Sequence, residues 1–173
     1  MIDSKTLILL ARYDAWADDT LLDAVAALPD DAAYRETKTL FKTIIGTLNH
    51  NYQVDLIWKA HLSGVPHGFS SRRDLLHPRL EDLVPAQREV NRWYVDWAGQ
   101  QNDQSLAARV SFQYTSGQPG EMSRGEIFMH HIGHKGYHRG WASQMFFNFD
   151  ARPPQTDLSV YLTEGHADRD VET

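Results

Sequence analysis

Apolar residues recur at three- and four-residue steps in four long stretches of this chain, separated by one stretch of strict alternation. In the first, about 4–28, Leu7, Leu10, Ala17, Leu21, Val25 and Leu28 form one stripe, and Pro29 follows just beyond it. Asp14 is the polar residue on that stripe, while Leu9, Tyr13 and Trp16 lie toward the other side, so this helix has two faces to bury. The second helix is expected over about 39–63, ending at Gly64 and Pro66. The third runs over about 79–103, with Pro78 at its start and Leu80, Leu83, Val90, Tyr94 and Trp97 at helical spacing. Between them, "GVPHGFSSRRDLLH" is a long connection, of the length that functional or mobile loops have.

The period then changes to two. Leu106, Ala108, Val110, Phe112 and Tyr114 alternate with polar residues as in a half-buried strand, and the cluster "TSGQPG" turns the chain back into a short hairpin. The fourth helix is expected over about 123–148, because Ser123 and Glu126 in "SRGE" have the spacing of a capping box. The pattern predicts one mainly all-α domain over 1–173: a four-helix bundle with a β-hairpin before the last helix and a tail over 150–173.

Composition narrows the chemistry. The 173 residues include no cysteine, which excludes disulfides, thiolate ligands and a cysteine nucleophile and leaves nitrogen and oxygen as metal donors. A net charge of −6 with no basic run argues against a nucleic-acid partner. No apolar run approaches the ~18 residues of a membrane span, and the N-terminus has no leader pattern, so a cytoplasmic protein is expected.

Four of the nine histidines fall within "MHHIGHKGYHRG", residues 129–140. At about 100° per residue, His134 and His138 lie within about 20° of Ile127 on either side, and Met145 returns to the same direction. They are therefore expected at the centre of the core stripe, with His130 and His131 flanking it. His130 with His134, His131 with His134, and His134 with His138 are each close enough to share an ion, and the central pair is favoured. A bundle metal needs a donor from a facing helix. The second helix offers His50 or His61, which are about 16 Å apart in height, so one of them at most joins the site. His50 has Gly46 one turn before it and Val54 one turn after; His61 is expected facing solvent or at a pocket rim. His67, His77 and His166 read as loop or tail residues, and Trp16, Trp58, Trp93 and Trp97 as packing.

With these residues in hand, "YDAWADDTLLDAVAALPDD", "TIIGTLNHNYQVDLIWKAHLSG", "FMHHIGHKGYHRG" and "PPQTDLSVYLTE" together resemble the DinB/YfiT-like superfamily in order and spacing. The resemblance implies an up-down-down-up bundle and one divalent metal (nickel, zinc or iron) held by His50, His134 and His138. It also implies a metal-dependent enzyme, such as a low-molecular-weight-thiol-dependent S-transferase or isomerase acting on small electrophiles. A metal-dependent hydrolase and a non-enzymatic metal-binding or stress-response protein are the alternatives. This chain departs from the superfamily at Trp141, where Gln is usual, at Tyr137, where a second histidine is common, and at Asp14, which replaces Asn in Y-N-x-W. Asp14, Tyr137 and Arg139 are the candidate catalytic residues: Asp14 as an outer group orienting a ligand histidine, Tyr137 or Tyr13 in pocket hydrogen bonding, Arg139 in helix pairing or holding a substrate carboxylate. The expected partners are a small-molecule substrate, a cellular thiol and a second copy of the chain. Leu9, Tyr13 and Trp16 would form a dimer patch or pack on the 64–77 loop.

Overall fold

The computed structural model describes residues 2–29 and 31–164, so His166 lies outside the described residues. Four long helices form the bundle: α1 (Ser4–Ala26), α2 (Ile44–Ser63), α3 (Leu80–Gly99) and α5 (Arg124–Met145). Between α3 and α5 come a short helix α4 (Asp103–Ala107) and strands β1 (Arg109–Gln113) and β2 (Pro119–Ser123). A final helix, α6 (Leu158–Thr163), closes the described chain.

Local chemistry sets each helix end. Asp3 accepts the Thr6 N–H at the start of α1, and Thr43 accepts the Gly46 N–H at the start of α2. This cap begins α2 at Ile44, five residues after the expected start; Lys42 before it has φ 63°. Gly64, at φ 70°, ends α2 in the left-handed conformation. The expected capping box is present at α5: Ser123 Oγ accepts from Glu126 N at 3.2 Å, and Glu126 Oε2 accepts from Ser123 N at 2.6 Å. A second box, between Asn102 and Ser105, starts α4. It draws Leu106 out of the expected strand and into a helix, where the side chain is fully buried.

Side-chain pairing gives the direction of each helix. Arg88 of α3 meets Asp19 and Asp23 late in α1, and Ser4 N donates to Asp103 Oδ1 beyond the end of α3, so α1 and α3 are antiparallel. Gln87 on Asp55 and Lys59 over Trp93 make α2 and α3 parallel. His50 against His138, with Trp58 against His130, makes α2 and α5 antiparallel. The bundle is therefore up-down-down-up. Two consecutive parallel helices of about 30 Å each need a return connection, which explains the long 64–79 segment.

That segment is pinned rather than loose. Asn49 donates to His77 O and accepts from His77 N, both at 2.8 Å. Gln53 donates to Asp74 Oδ2 at 2.7 Å and accepts from Asp74 N at 3.2 Å. The antiparallel hairpin pairs Val110 with Met122 and turns Phe112 inward against Trp58 and His61. Gly120 is required there, since a Cβ would lie 2.6 Å from the Phe112 ring.

Part of the second face of α1, at Tyr13 and Trp16, is packed against the chain itself. Tyr161 of α6, fully buried, packs on Tyr13 and Trp16 at 5.9 and 5.4 Å between ring centroids. Tyr13 Oη donates to Thr156 O at 2.8 Å. The C-terminal segment, not the 64–77 loop, occupies the place expected for a packing partner.

Candidate metal centre

His50 lies midway along α2, and His134 and His138 lie one turn apart on α5; the antiparallel pairing brings the three rings together. One nitrogen from each lies within 4.8 Å of the others. His50 Nε2 is 3.3 Å from His134 Nε2, and the His138 ring centroid is 4.5 Å from each of the other two. His50 and His138 are buried and His134 is half-buried at the edge of a cavity.

The crossover loop orients His50. Its Nδ1 is 2.6 Å from the Arg72 carbonyl oxygen, which can only accept, so Nδ1 carries the proton and Nε2 presents its lone pair to the other two histidines. Nδ1 of His134 and of His138 are buried with no hydrogen-bond partner among the described residues. Burial, with His138 next in effect, pushes His134 down to about 3; burial, then His50, pushes His138 down to about 4. Burial also lowers His50. All three are neutral imidazoles at pH 7, a donor set suited to one borderline-soft divalent ion. Phe41 stacks on His50 at 4.3 Å and meets the edge of His138, while Trp141 lies 5.0 Å from His138. The ring of Tyr137 is also 5.0 Å from His138, but Tyr137 is 59% exposed on the outer side.

Asp14 and Arg139 belong to a different cluster. Arg139 Nη1 donates to Asp14 at 2.9 Å and to Asp18 at 3.2 Å, and Nη2 donates to Tyr13 Oη at 3.3 Å. Lys135, with no exposed surface, is bonded to Asp55 at 2.9 Å, Asn91 at 3.0 Å, Asp14 at 3.2 Å and Asp18. His131 stacks on Tyr94 at 4.0 Å and faces Asp55 at 3.4 Å. Burial would raise the Asp14 carboxyl, but Lys135 and Arg139 hold it low; burial pushes Asp55 up to about 7 and His131 down to about 3. Asp14 thus contacts Arg139, Lys135 and His131, and no hydrogen bond joins it to His50, His134 or His138.

This cluster corrects the expected centre of α5. The buried row is Ile127, Phe128, His131, Lys135, His138, Arg139, Ala142 and Met145. Its middle lies about 60° round the helix from Ile127, so His131 is central and His134 stands at the margin. Lys135 is the residue that sequence reasoning passed over. Its signal was its place four residues from both His131 and Arg139, but a lysine on that row reads as solvent-facing unless its acidic partners on other helices are known. The pairings across four helices also fix the height of α5: a slipped register would strand buried charges at several kcal/mol. That height sets His134 and His138 opposite His50.

His61, expected at a rim or in solvent, is 8% exposed and packs against Trp58, Phe112 and His67. It helps wall a cavity of about 320 Å³ that reaches His134 and is lined on the hairpin by Tyr114, Thr115, Ser116 and Gln118. His67 is held by Phe69 N and Gln113 O, and His77 packs on Tyr52.

A sequence model of the DinB family matches residues 1–169. The chain belongs to the DinB family. It is 24% identical to the "Protein DinB" of Bacillus subtilis (strain 168) over 159 residues, covering 88% of this chain and 91% of that protein. The fold of this DinB-family chain is also that of a crystal structure of a DinB-like protein from Bacillus cereus, with a TM-score of 0.63 and 18% identity. That likeness covers 83% of this chain and 90% of the other. Among the described residues, no helix is long and apolar enough to cross a membrane.

Proposed function

We propose that His50, His134 and His138 hold one divalent metal ion, and that this DinB-family chain is an enzyme using it to join a small thiol to a small electrophile or to isomerise one. The observation that carries the reading is three neutral imidazole nitrogens within 4.8 Å of one another at the wall of a 320 Å³ cavity. An ion on three protein nitrogens keeps a position for an incoming ligand and lowers the pKa of a thiol or water placed there. The chain supplies the rest. Arg72 O fixes the His50 tautomer; Phe41 and Trp141 pack their rings against the cluster; the cavity gives a small molecule access to His134. With no cysteine in the chain, the thiol is a cosubstrate.

Elemental analysis of untagged protein is expected to give about one metal per chain. The loaded protein is expected to consume a chloronitrobenzene only when a thiol is supplied, with His134→Ala losing both metal and turnover. Full metal occupancy with no turnover on any of several thiols would refute the enzymatic part and leave a metal-binding protein. A metal-free protein would refute the whole reading.

A further inference from the structure

The cavity beside His134 has a chemical asymmetry of its own. One wall is apolar and aromatic, built from Val54, Ile57 and Trp58 of α2 with the His130 ring 4.9 Å from Trp58. The rings of His61 and His130 add flat surface to that wall, each packed against Trp58. Arg72, an exposed residue of the crossover loop, also lines the cavity and has no ion-pair partner among the described residues. Ser116 of the hairpin turn lines the cavity as well, and no acidic residue does. The same Arg72 holds His50 through its backbone carbonyl, so its main chain is anchored beside the histidine cluster.

We infer that this cavity binds a small molecule with a flat apolar body and a carboxylate, the body lying on Trp58 and the carboxylate paired with Arg72. The inference deepens the reading of the site proposed above and rests on it for what happens to the bound molecule. A guanidinium is suited to the task because it is always charged and matches a carboxylate with two parallel N–H donors. Arg72 is the fixed side-chain charge among the residues that line the cavity, and the aromatic wall stacks on the body without preference for its substituents. The carboxylate can be carried by the electrophile or by the thiol; both present the same group to Arg72.

The test measures binding, not turnover, so it stands apart from the enzymatic reading. Para-nitrobenzoate is compared with para-nitrobenzamide as the electrophile-like pair, and para-mercaptobenzoate with para-mercaptobenzamide as the thiol-like pair. Each is titrated while following the Trp58 indole NMR signal. In the wild type, at least one carboxylate is expected to bind about five-fold or more tighter than its amide, the scale of a partly exposed charge pair. Arg72→Ala should reduce that ratio to about one, and Arg73→Ala should leave it unchanged. The backbone carbonyl that holds His50 persists in Arg72→Ala, so loss of preference reports the side chain. The pair that shows the effect identifies which cosubstrate carries the acid. Three results would each overturn the inference: equal binding of acid and amide in both pairs, a preference that survives Arg72→Ala, or a preference lost equally in Arg73→Ala. Repeating the titrations after chelation separates Arg72 from a metal ion as the anion's partner; a preference that disappears with the metal refutes the assignment to Arg72. Failure of the enzymatic reading, by contrast, would leave the Arg72-dependent ratio intact.

Discussion

Lys135→Met would remove the cation around which Asp14, Asp18, Asp55 and Asn91 are arranged, leaving a side chain of similar length. The lysine has no exposed surface, and the carboxylates are buried to 6–8% side-chain exposure or less. Arg139 remains for Asp14 and Asp18, but Asp55 keeps only the Gln87 amide at 2.7 Å and His131 at 3.4 Å. Breaking one partner of a buried pair costs about 3–5 kcal/mol, against a total stability of about 5–15 kcal/mol. For a chain of this length that corresponds to a Tm lower by roughly 6–20 °C. The assay is urea unfolding of chelated protein, followed by tryptophan fluorescence, with variant and wild type compared at pH 8, 7 and 5. The sign of the pH effect follows from Asp55, already raised to about 7 by burial and raised further without Lys135. A carboxyl whose folded pKa lies above its unfolded value of about 3.9 favours the folded state when protonated, and that contribution is lost as pH rises through the folded pKa. The deficit of Lys135→Met is therefore largest at pH 8 and shrinks toward pH 5, and Lys135→Met/Asp55→Asn recovers part of it. A deficit below about 1 kcal/mol, or one that is constant across this range, would refute the account of the cluster.

Two further outcomes concern the histidine centre. His134 and His138 are held down near 3 and 4, below the ordinary value of about 6.5, so their neutral forms persist in the fold as pH falls, and protons compete with a metal for these two rings only near pH 4; burial lowers His50 as well. Occupancy measured by equilibrium dialysis is expected to stay flat from pH 7 to about 5 and then collapse; a steep fall between pH 6.5 and 5.5 would contradict this. Gly46→Ala places a Cβ 2.4 Å from Phe41 O, so the Phe41 segment must move off His50. The expected cost is about 1–3 kcal/mol with weaker metal retention; wild-type values in both unfolding and metal-retention assays would show that Phe41 does not order the site.

The local sequence determined much of this protein. The Ser123–Glu126 box, the Gly64 stop and the turn after β1 act over a few residues, so their outcome needs no tertiary contact. Two histidines four apart on one helix, and one on a facing helix, follow from helical period, and the fold brings those three together. The centre of the buried face of α5 did not follow. Periodicity gives the angles between residues on a helix but not which angle meets the core, and hydrophobicity chose a direction about 60° away from the middle of the buried row that includes Lys135 and Arg139. Burying those cations is tolerable only because Asp14, Asp18 and Asp55 arrive from α1 and α2, at separations of 80 to 125 residues that no local pattern encodes. The same holds for α6 on Tyr13 and Trp16, and for the Arg72 carbonyl on His50. Chain order and helix chemistry supplied the elements and the ligand candidates; the pairing of distant charges and carbonyls decided where those elements stop.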